Sequence, residues 1–521
     1  MSLELVRESI KVNQVIGQDV AQTIVENDII VPDVKPDVAD ILVLDGDVAV
    51  NNMDVMQDKI LIGGTIRYKI LYVSDDADEP VKGINTAVNF SCGVDVANAR
   101  HGMKCRAKCD IEHIDYEILN GRKINVKTIL SVSGKVTEEV EHEIANGLRG
   151  LDDIQVLKDN VNVNYYLGDN EVSYTAKEAL QVPAGKPTIA EILRNDVKIT
   201  GKDYKIVDDK VIARGELSIS TLYIGDDEER SIQYMEHEVP FTQAVELEDL
   251  GENAVCQVEF RVIDSQFEAG EDSDGELRVL NSEVALGVYV SAFEKRSIEI
   301  IVDAYSPHTK VNIEKSQVGM EEFIAENKGQ ATVKDSVVVQ EGNPEIGQVF
   351  NVISTPVLSE CKVQDDKVLV EGLVNNKVIY LATNSRQPIF CSQQETPFKQ
   401  SIDMKGITAE MPCDVSLDVE HCNYSMISAA EVEIRVVVGV TAKVMSQSVI
   451  PVISKATESP LDDKRVASAP SITIYFAQPE DTLWKVAKKY YTTVSDLVRV
   501  NDLSERDAII PGQQIIIPRR A

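Results

Sequence analysis

One repeated pattern constrains the fold of this chain more than any other feature. Three segments start at a proline, Pro36, Pro187 or Pro344, that is followed by spaced aliphatic residues. An Asp-Lys pair comes 22 residues after each proline, a glycine six residues after that aspartate, and a tyrosine eight residues later. The prolines are 151 and then 157 residues apart. This length is typical of duplicated domains and exceeds that of a solenoid unit.

The repeated residues fall at matching offsets without a gap. They are Asp58, Asp209 and Asp366; Lys59, Lys210 and Lys367; Gly64, Gly215 and Gly372; and Tyr72, Tyr223 and Tyr380. The Asp-Lys pair predicts a turn that leads into a strand. The proline with its spaced aliphatic residues predicts a short helix, because proline suits the first turn of a helix.

Alternating hydrophobicity predicts strands in the rest of each copy. Apolar and charged residues alternate from Cys105 to His113, and the same period of two recurs after Cys256 and after Cys413. This period is typical of a strand with one buried and one solvated face. Aromatic residues make up only 5% of the chain, so small branched side chains fill the expected core.

These patterns predict a mainly β protein with three tandem copies of a β-rich, sandwich-like domain and a small C-terminal module. The chain of 521 residues is too long for one core. We expect the three domains at 1–146, 150–304 and 311–452. A flexible linker is expected at 453–470, which is small, polar and Pro-containing, and the module at 471–521.

The C-terminal module has the order strand, helix, helix, strand. Asp481 or Thr482 is expected to cap the first helix, and Pro511-Gly512 predicts the turn before the last strand. The module resembles the LysM family closely. The matching residues are Asp481, Thr482, Leu483, Ala487, Tyr490, Leu497, Asn501, Pro511, Gly512 and Pro518.

The LysM resemblance implies a shallow groove for N-acetylglucosamine chains between the loops Pro479–Leu483 and Leu503–Pro511. We expect this groove to bind a glycan or a protein partner. The candidate site residues are Glu480, Asp481, Thr482, Leu483, Trp484, Lys485, Pro511 and Gly512. Glu480 stands where the family usually has glycine, and its carboxylate counts against sugar binding.

Trp484 is the only tryptophan of the chain, and two interpretations of it stay open. It packs beneath the strands, or it anchors a partner through its large apolar area and its N–H. Lys485, Lys488 and Lys489 lie on the same helix and either steer an acidic partner to the module or simply solvate the helix.

The chain has three β repeats followed by the LysM-like module, and its first repeat contains a Pro-Asp element at Pro32-Asp33 and Pro36-Asp37. This arrangement resembles the clostridial spore-coat morphogenetic proteins, whose repeats are called SPOCS domains. The resemblance implies a cytoplasmic protein of the mother cell, at the outer forespore membrane surface and the spore coat. It implies a scaffold that links coat layers, with the LysM module bound to the coat basement-layer ATPase and with other coat proteins as partners. The alternative is a peptidoglycan-binding protein of the wall or cortex.

Charge and composition exclude several classes of function. The net charge of −34 disfavours nucleic acid and anionic membranes as partners. The first residues lack a signal peptide pattern, no apolar run is long enough to cross a membrane, and eight cysteines do not form a disulfide framework. These features agree with a cytosolic location.

The sequence gives little support to an enzyme. His101, Cys105, Cys109 and His113 are spaced by four, as Zn²⁺ ligands on a helix would be. The repeat places apolar residues at the position of Cys109, however, and the segment has the pattern of a strand. Nucleophile, phosphate-loop and zincin motifs are lacking. We therefore expect no enzymatic activity, no cofactor and no metal.

Overall fold

Strands dominate the computed structural model, which describes residues 3–76, 80–251, 253–339, 343–383, 389–460, 472–504 and 509–518. The first copy contains β1 (Glu4–Ile30), β2 (Val38–Met56), β3 (Lys59–Ser74), β4 (Val81–Asp95), β5 (Lys104–Asn120) and β6 (Lys123–Arg149). The second contains β7 (Gln155–Gln181), β8 (Ile189–Val207), β9 (Lys210–Gly225), β10 (Ile232–Glu246), β11 (Ala254–Gly270) and β12 (Val279–Tyr305). The third contains β13 (Thr309–Val338), β14 (Ile346–Gln364), β15 (Lys367–Ala382), β16 (Ile389–Asp403), β17 (Cys413–Ser428) and β18 (Glu431–Pro460).

Each copy folds into two antiparallel three-stranded sheets that pack face to face. The sheets of the first copy have the orders β1-β6-β5 and β2-β3-β4, and the other copies repeat both orders. Ile62 and Ile66 of β3 pack in one apolar cluster with Val126 and Leu130 of β6. Alternate side chains point into this core because successive residues of a strand face opposite sides of the sheet. The expected sandwich-like fold is confirmed in all three copies.

The short helix expected after each proline is wrong. Residues 38–56 form the bulged strand β2, with register shifts between Val38 and Asp40 and between Ile41 and Val43. The same two bulges recur in β8 and β14. A bulge adds one residue without a partner, so the residues of β2 that pack into the core between the sheets, Val38, Ile41 and Leu44, are spaced three apart. This spacing mimics the period of a helix.

The repeated tyrosine and glycine have the same partners in each copy. The hydroxyl of Tyr72 donates a hydrogen bond to the carbonyl oxygen of Pro36 at 2.9 Å, and Tyr223 and Tyr380 contact the equivalent prolines at 3.1 and 3.5 Å. Each glycine lies directly opposite a phenylalanine of the neighbouring strand. The pairs are Gly64 with Phe90, Gly215 with Phe241 and Gly372 with Phe398.

The Pro-Asp element of the first copy is held by an arginine that the sequence did not single out. The guanidinium of Arg122 donates to the carbonyl oxygen of Lys35 at 2.6 Å. It also donates to the carboxylate of Asp37 at 3.1 Å and to that of Asp33 at 3.3 Å. Both aspartates thus fix the β1–β2 loop, and the element has a structural role in this copy.

The expected domain boundaries differ from the strand ends. β6 continues to Arg149, β12 to Tyr305 and β18 to Pro460, where it pairs with Thr309 of β13. Residues 453–460, expected to be linker, are therefore strand, because β13 provides a backbone partner along their whole length. Their polar composition reflects the exposed end of a two-stranded ribbon. Residues 461–470 of the expected linker lie outside the described part of the chain.

These ribbons join the three copies. β1 and β6 form a two-stranded ribbon that extends 12 residues of β6 beyond the partner of Lys104, the first residue of β5. The β7–β12 and β13–β18 ribbons extend in the same way by 11 and 16 residues. The three ribbons share one apolar cluster that contains Ile10, Val12, Ile144, Val163, Ile298, Ile300, Val318, Met320, Ile450 and Val452. Burial of this surface holds the copies together, since apolar burial is the main favourable term in folding.

A second junction lies where the sheets β2-β3-β4, β8-β9-β10 and β14-β15-β16 of the three copies meet. Its apolar cluster combines Val43, Leu71, Val81, Leu193, Leu222, Ile224, Phe350, Ile379 and Ile389. Charged side chains are buried beside it. The Arg194 guanidinium lies 2.9 Å from Asp45 and 2.7 Å from Asp196, and Lys377 also pairs with Asp45.

Candidate binding module at the C-terminus

The C-terminal module consists of β19 (Ile472–Phe476), α1 (Leu483–Lys489), α2 (Val494–Asn501) and β20 (Gln514–Pro518). The expected order is confirmed, and β19 pairs antiparallel with β20. Thr482 caps α1, where its side-chain oxygen accepts from the backbone N–H of Lys485 at 3.1 Å, and Thr493 caps α2 in the same way. Asn501 ties α2 to β20 through hydrogen bonds with both backbone groups of Ile516.

The first loop of the expected groove is organised around Asp481. Its carboxylate accepts from the Tyr475 hydroxyl at 2.5 Å and from the backbone N–H of Gln478 at 2.8 Å. These two hydrogen bonds lower the pKa of Asp481, so the carboxylate is charged at neutral pH. Glu480 has a φ of 66° and an exposed side chain. Its carboxylate is free to meet a ligand.

Residues 505–508 of the second expected loop lie outside the described part of the chain. The described end of this loop is held by Ala477, which precedes the first loop in the sequence. The backbone N–H of Gly512 donates to the carbonyl oxygen of Ala477 at 2.7 Å, and the N–H of Ala477 donates to that of Gln513 at 2.9 Å. Gly512 has a φ of 85°, which glycine adopts without strain. Pro511 and Gly512 are exposed, and Ile510 has 68% of its surface exposed.

The module docks on the end of β12 through Trp484. Its indole Nε1–H donates to the carboxylate of Asp303 at 2.8 Å, and the Lys488 ammonium donates to the other oxygen of that carboxylate at 2.6 Å. The Trp484 and Tyr305 rings meet edge to face with their centroids 4.8 Å apart. The Tyr305 hydroxyl also donates to the carbonyl oxygen of Thr492 at 2.9 Å.

The electrostatics of Asp303 favour this docked position. Burial raises the pKa of its carboxyl group, but the hydrogen bonds from Lys488 and Trp484 outweigh burial and lower it. Asp303 is therefore ionised at neutral pH and accepts from both donors at once. A carboxylate that accepts charge-assisted hydrogen bonds makes stronger contacts than neutral groups do.

The structure places the eight expected site residues in three environments. Leu483 is buried in the module core, whereas Asp481 and Trp484 are half-buried. The exposed ones are Glu480, Thr482, Lys485, Pro511 and Gly512. Sequence reasoning missed Asp303 and Tyr305, which precede Trp484 by about 180 residues. No repeat or motif marks them, because the contact joins two different domains.

The candidate metal ligands lie on or beside β5, as the alternation predicted. Cys105 and Cys109 pack against the core between the sheets, and burial raises the pKa of both thiols, to about 12 for Cys109. Within the described ranges, no three metal-ligating side chains cluster around a common point. The Asp-Lys pairs form the expected turns into β3, β9 and β15.

Comparison with protein-family models finds two kinds of domain. The model described as "SipL, SPOCS domain" matches residues 37–119, 188–269 and 345–427, and the LysM domain model matches residues 475–518. The chain is therefore a three-repeat SPOCS protein with a C-terminal LysM domain. It belongs with the SipL-like SPOCS and LysM proteins. No curated protein and no solved structure matches it.

Each SPOCS match covers the second to fifth strands of a copy. The long first and last strands, which form the ribbons between the copies, lie largely outside the matches. The domains fit a sporulation coat-associated protein with a module of the peptidoglycan-binding type, and both domain types are binding or structural modules. No helix in the described ranges has the length and hydrophobicity that a membrane span requires.

Proposed function

We propose that this protein is a non-enzymatic scaffold of the spore coat, located on the mother-cell side of the forespore surface. In this proposal its LysM module binds the coat basement-layer ATPase, and the three SPOCS domains contact other coat proteins. Several moderate contacts on one chain hold two layers together through effective concentration, without any single strong site.

One observation carries the proposal: the LysM module is docked on the body through α1, while described residues of both expected groove loops stay exposed. Trp484 and Lys488 face Asp303, whereas Glu480 and Pro511 are open to solvent. A module held in this way presents its loops at a fixed angle to the body. Within this proposal, Trp484 contributes to partner binding by fixing that angle.

The chemistry of the exposed loops favours a protein partner. The loops combine the carboxylate of Glu480 with the apolar side chain of Ile510, and Phe476 of the adjoining strand is 58% exposed. An exposed apolar side chain beside charged groups is typical of protein interfaces.

The test measures the dissociation constant of the purified basement-layer ATPase for the full-length protein. We expect Glu480→Lys combined with Ile510→Asp to weaken binding at least tenfold, and deletion of residues 471–521 to abolish it. Glu238→Lys, an exposed charge reversal on the second SPOCS domain, is the control and should bind normally. Unchanged binding by the deletion variant would exclude the module as the ATPase site.

Titration with chitin oligomers distinguishes the alternative function. The proposal predicts that N-acetylglucosamine chains do not change the fluorescence of Trp484 in the full-length protein. Saturable sugar binding that Glu480→Lys abolishes, together with no affinity for the ATPase, would identify a peptidoglycan-binding protein of the cortex or wall.

A further inference from the structure

Strand pairing places one residue pair of each ribbon at the same position of the repeat. The pairs are Ile10 with His142, Val161 with Ile298, and Val318 with Ile450. The five aliphatic residues belong to or pack against the apolar cluster that the three ribbons share, which we call the ribbon junction. The first ribbon therefore has a histidine where the other two have isoleucine.

The imidazole of His142 lies among apolar side chains. Val140 and Ile144 stand two residues before and after it, on the same face of β6, and both pack in the ribbon junction. The Nε2 atom of His142 is buried and has no hydrogen-bond partner within the described ranges. A neutral imidazole leaves only an acceptor without a partner there. A protonated imidazole would leave an N–H donor and a charge without one, which costs much more.

Charged residues flank the apolar part of the ribbon junction along the strands, two or four residues from the equivalent pairs and on the same faces. They are Glu8 and Glu138 in the first ribbon, Asp159, Glu294 and Arg296 in the second, and Glu322 in the third. Arg296 pairs with Glu294 at 2.7 Å, and Glu8 accepts from the Asn146 side chain at 3.2 Å. Carboxylates would favour a charged imidazole, but burial is the stronger effect and lowers the pKa of His142 below its ordinary value of 6.5.

We propose that His142 makes the ribbon junction sensitive to pH, so that the three copies are held together less firmly in mild acid than at neutral pH. Neutral His142 completes the apolar contact between the ribbons. A protonated imidazole is stabilised by water and not by the ribbon junction, so the ribbons separate more readily. The unfolded chain takes up this proton at a higher pH than the folded protein does. Stability therefore falls as the pH drops through about 6.5, and this loss ends below the pKa of the folded state.

The experiment compares the thermal midpoint of the full-length wild-type protein with that of His142→Ile, at pH 7.5 and at pH 5.5 and at one ionic strength. Isoleucine is the residue that the other two ribbons have, so we expect the variant to fold and to be at least as stable as the wild type at pH 7.5. Between the two pH values the midpoint of the wild type should fall by roughly 2 °C or more beyond that of the variant. Equal falls in the two proteins would refute the proposal.

A second variant separates the titration of His142 from its polarity. Glutamine is polar but uncharged at both pH values, so His142→Gln should show the same small fall in thermal midpoint as His142→Ile. His101→Gln replaces an exposed histidine of the first copy outside the ribbons. It is the matched control and should keep the larger fall of the wild type. The proposal is wrong if His142→Gln keeps that larger fall or if His101→Gln loses it.

Amide hydrogen exchange in the wild-type protein locates the change. After correction for the effect of pH on the intrinsic exchange rate, the amides of β1 and β6 around Ile10 and His142 should lose protection at pH 5.5. The amides of β3, in the core of the first sandwich, should lose less, because opening of the ribbon junction leaves that core intact. Protection around His142 that is equal at the two pH values would contradict the proposal.

Discussion

Lys69 of the first copy lies 3.2 Å from Asp196 of the second, across the junction between the two SPOCS domains. Lys377 of the third copy contacts Asp45 of the first in the same way. Both lysines stand 33 residues after a repeat proline and both aspartates nine residues after one. At these positions the second copy has Ser220 in place of the lysine, and the third copy has Ile353 in place of the aspartate. The lysine-bearing surface of one copy thus meets the aspartate-bearing surface of the next, in a cycle of three junctions. Two of these junctions have the ion pair.

The guanidinium of the buried Arg194 forms ion pairs with both aspartates, Asp45 and Asp196. Its own pKa is raised, and the pKa of Asp196 is lowered to about 2 because Arg194 and Lys69 outweigh its burial. We expect Arg194→Ala to lower the free energy of unfolding by about 3–5 kcal/mol, because it removes the buried cation that Asp45 and Asp196 share and leaves each with one lysine. Chemical denaturation measures the loss.

Arg261→Ala is the control for this substitution. Arg261 pairs with Glu171 at 2.5 Å, but both side chains are more than one third exposed. An exposed pair contributes at most about 1 kcal/mol. Equal losses from the two substitutions would show that the Arg194 network does not hold the copies together.

The docking of the LysM module can be followed through its single tryptophan. Asp303→Ala removes the acceptor of the Trp484 N–H and of the Lys488 ammonium. We expect the Trp484 emission to shift to longer wavelength and its quenching by acrylamide to increase, while the far-ultraviolet circular dichroism stays unchanged. Asp152→Asn, an exposed substitution in the β6–β7 connection, should leave the emission of Trp484 unchanged.

Docking should also depend on pH. The pKa of Asp303 is lower in the docked module than the ordinary value of 3.8. Because docking lowers this pKa, the charged carboxylate stabilises the docked state at pH values above 3.8. This stabilisation is lost as the pH falls below 3.8 and through the pKa of the docked state. We expect Trp484 emission to be constant from pH 7 to about pH 5 and to shift to longer wavelength below about pH 4. Asp303→Asn should lack this acid transition.

The repeated glycines should be intolerant of a side chain. A Cβ atom at Gly64 would lie 2.5 Å from the Ala49 carbonyl oxygen and 2.5 Å from the Phe90 ring. We expect Gly64→Ala to cost about 1–3 kcal/mol of stability, because one of these groups must move. Gly251→Ala is the control, since nothing lies within 4 Å of its Cβ position. A thermal midpoint equal to that of the control would contradict this explanation.

Much of the architecture was predictable because it depends on local spacing. The matched prolines, glycines and tyrosines established three copies, and alternation identified β5, β11 and β17 as strands. The helix expected after Pro36 was wrong because β-bulges imitate helical spacing, and pairing decides whether a bulge forms. Similarly, the polar residues 453–460 are strand because β13 lies beside them.

The sequence by itself determined the three repeats, the LysM module and their order, because these are properties of residues near one another along the chain. Only the tertiary structure decided how these parts meet. Asp303 and Trp484 are 181 residues apart, and Lys69 and Asp196 lie in different copies. No periodicity relates such residues, since their contact depends on the packing of whole domains and sheets against each other.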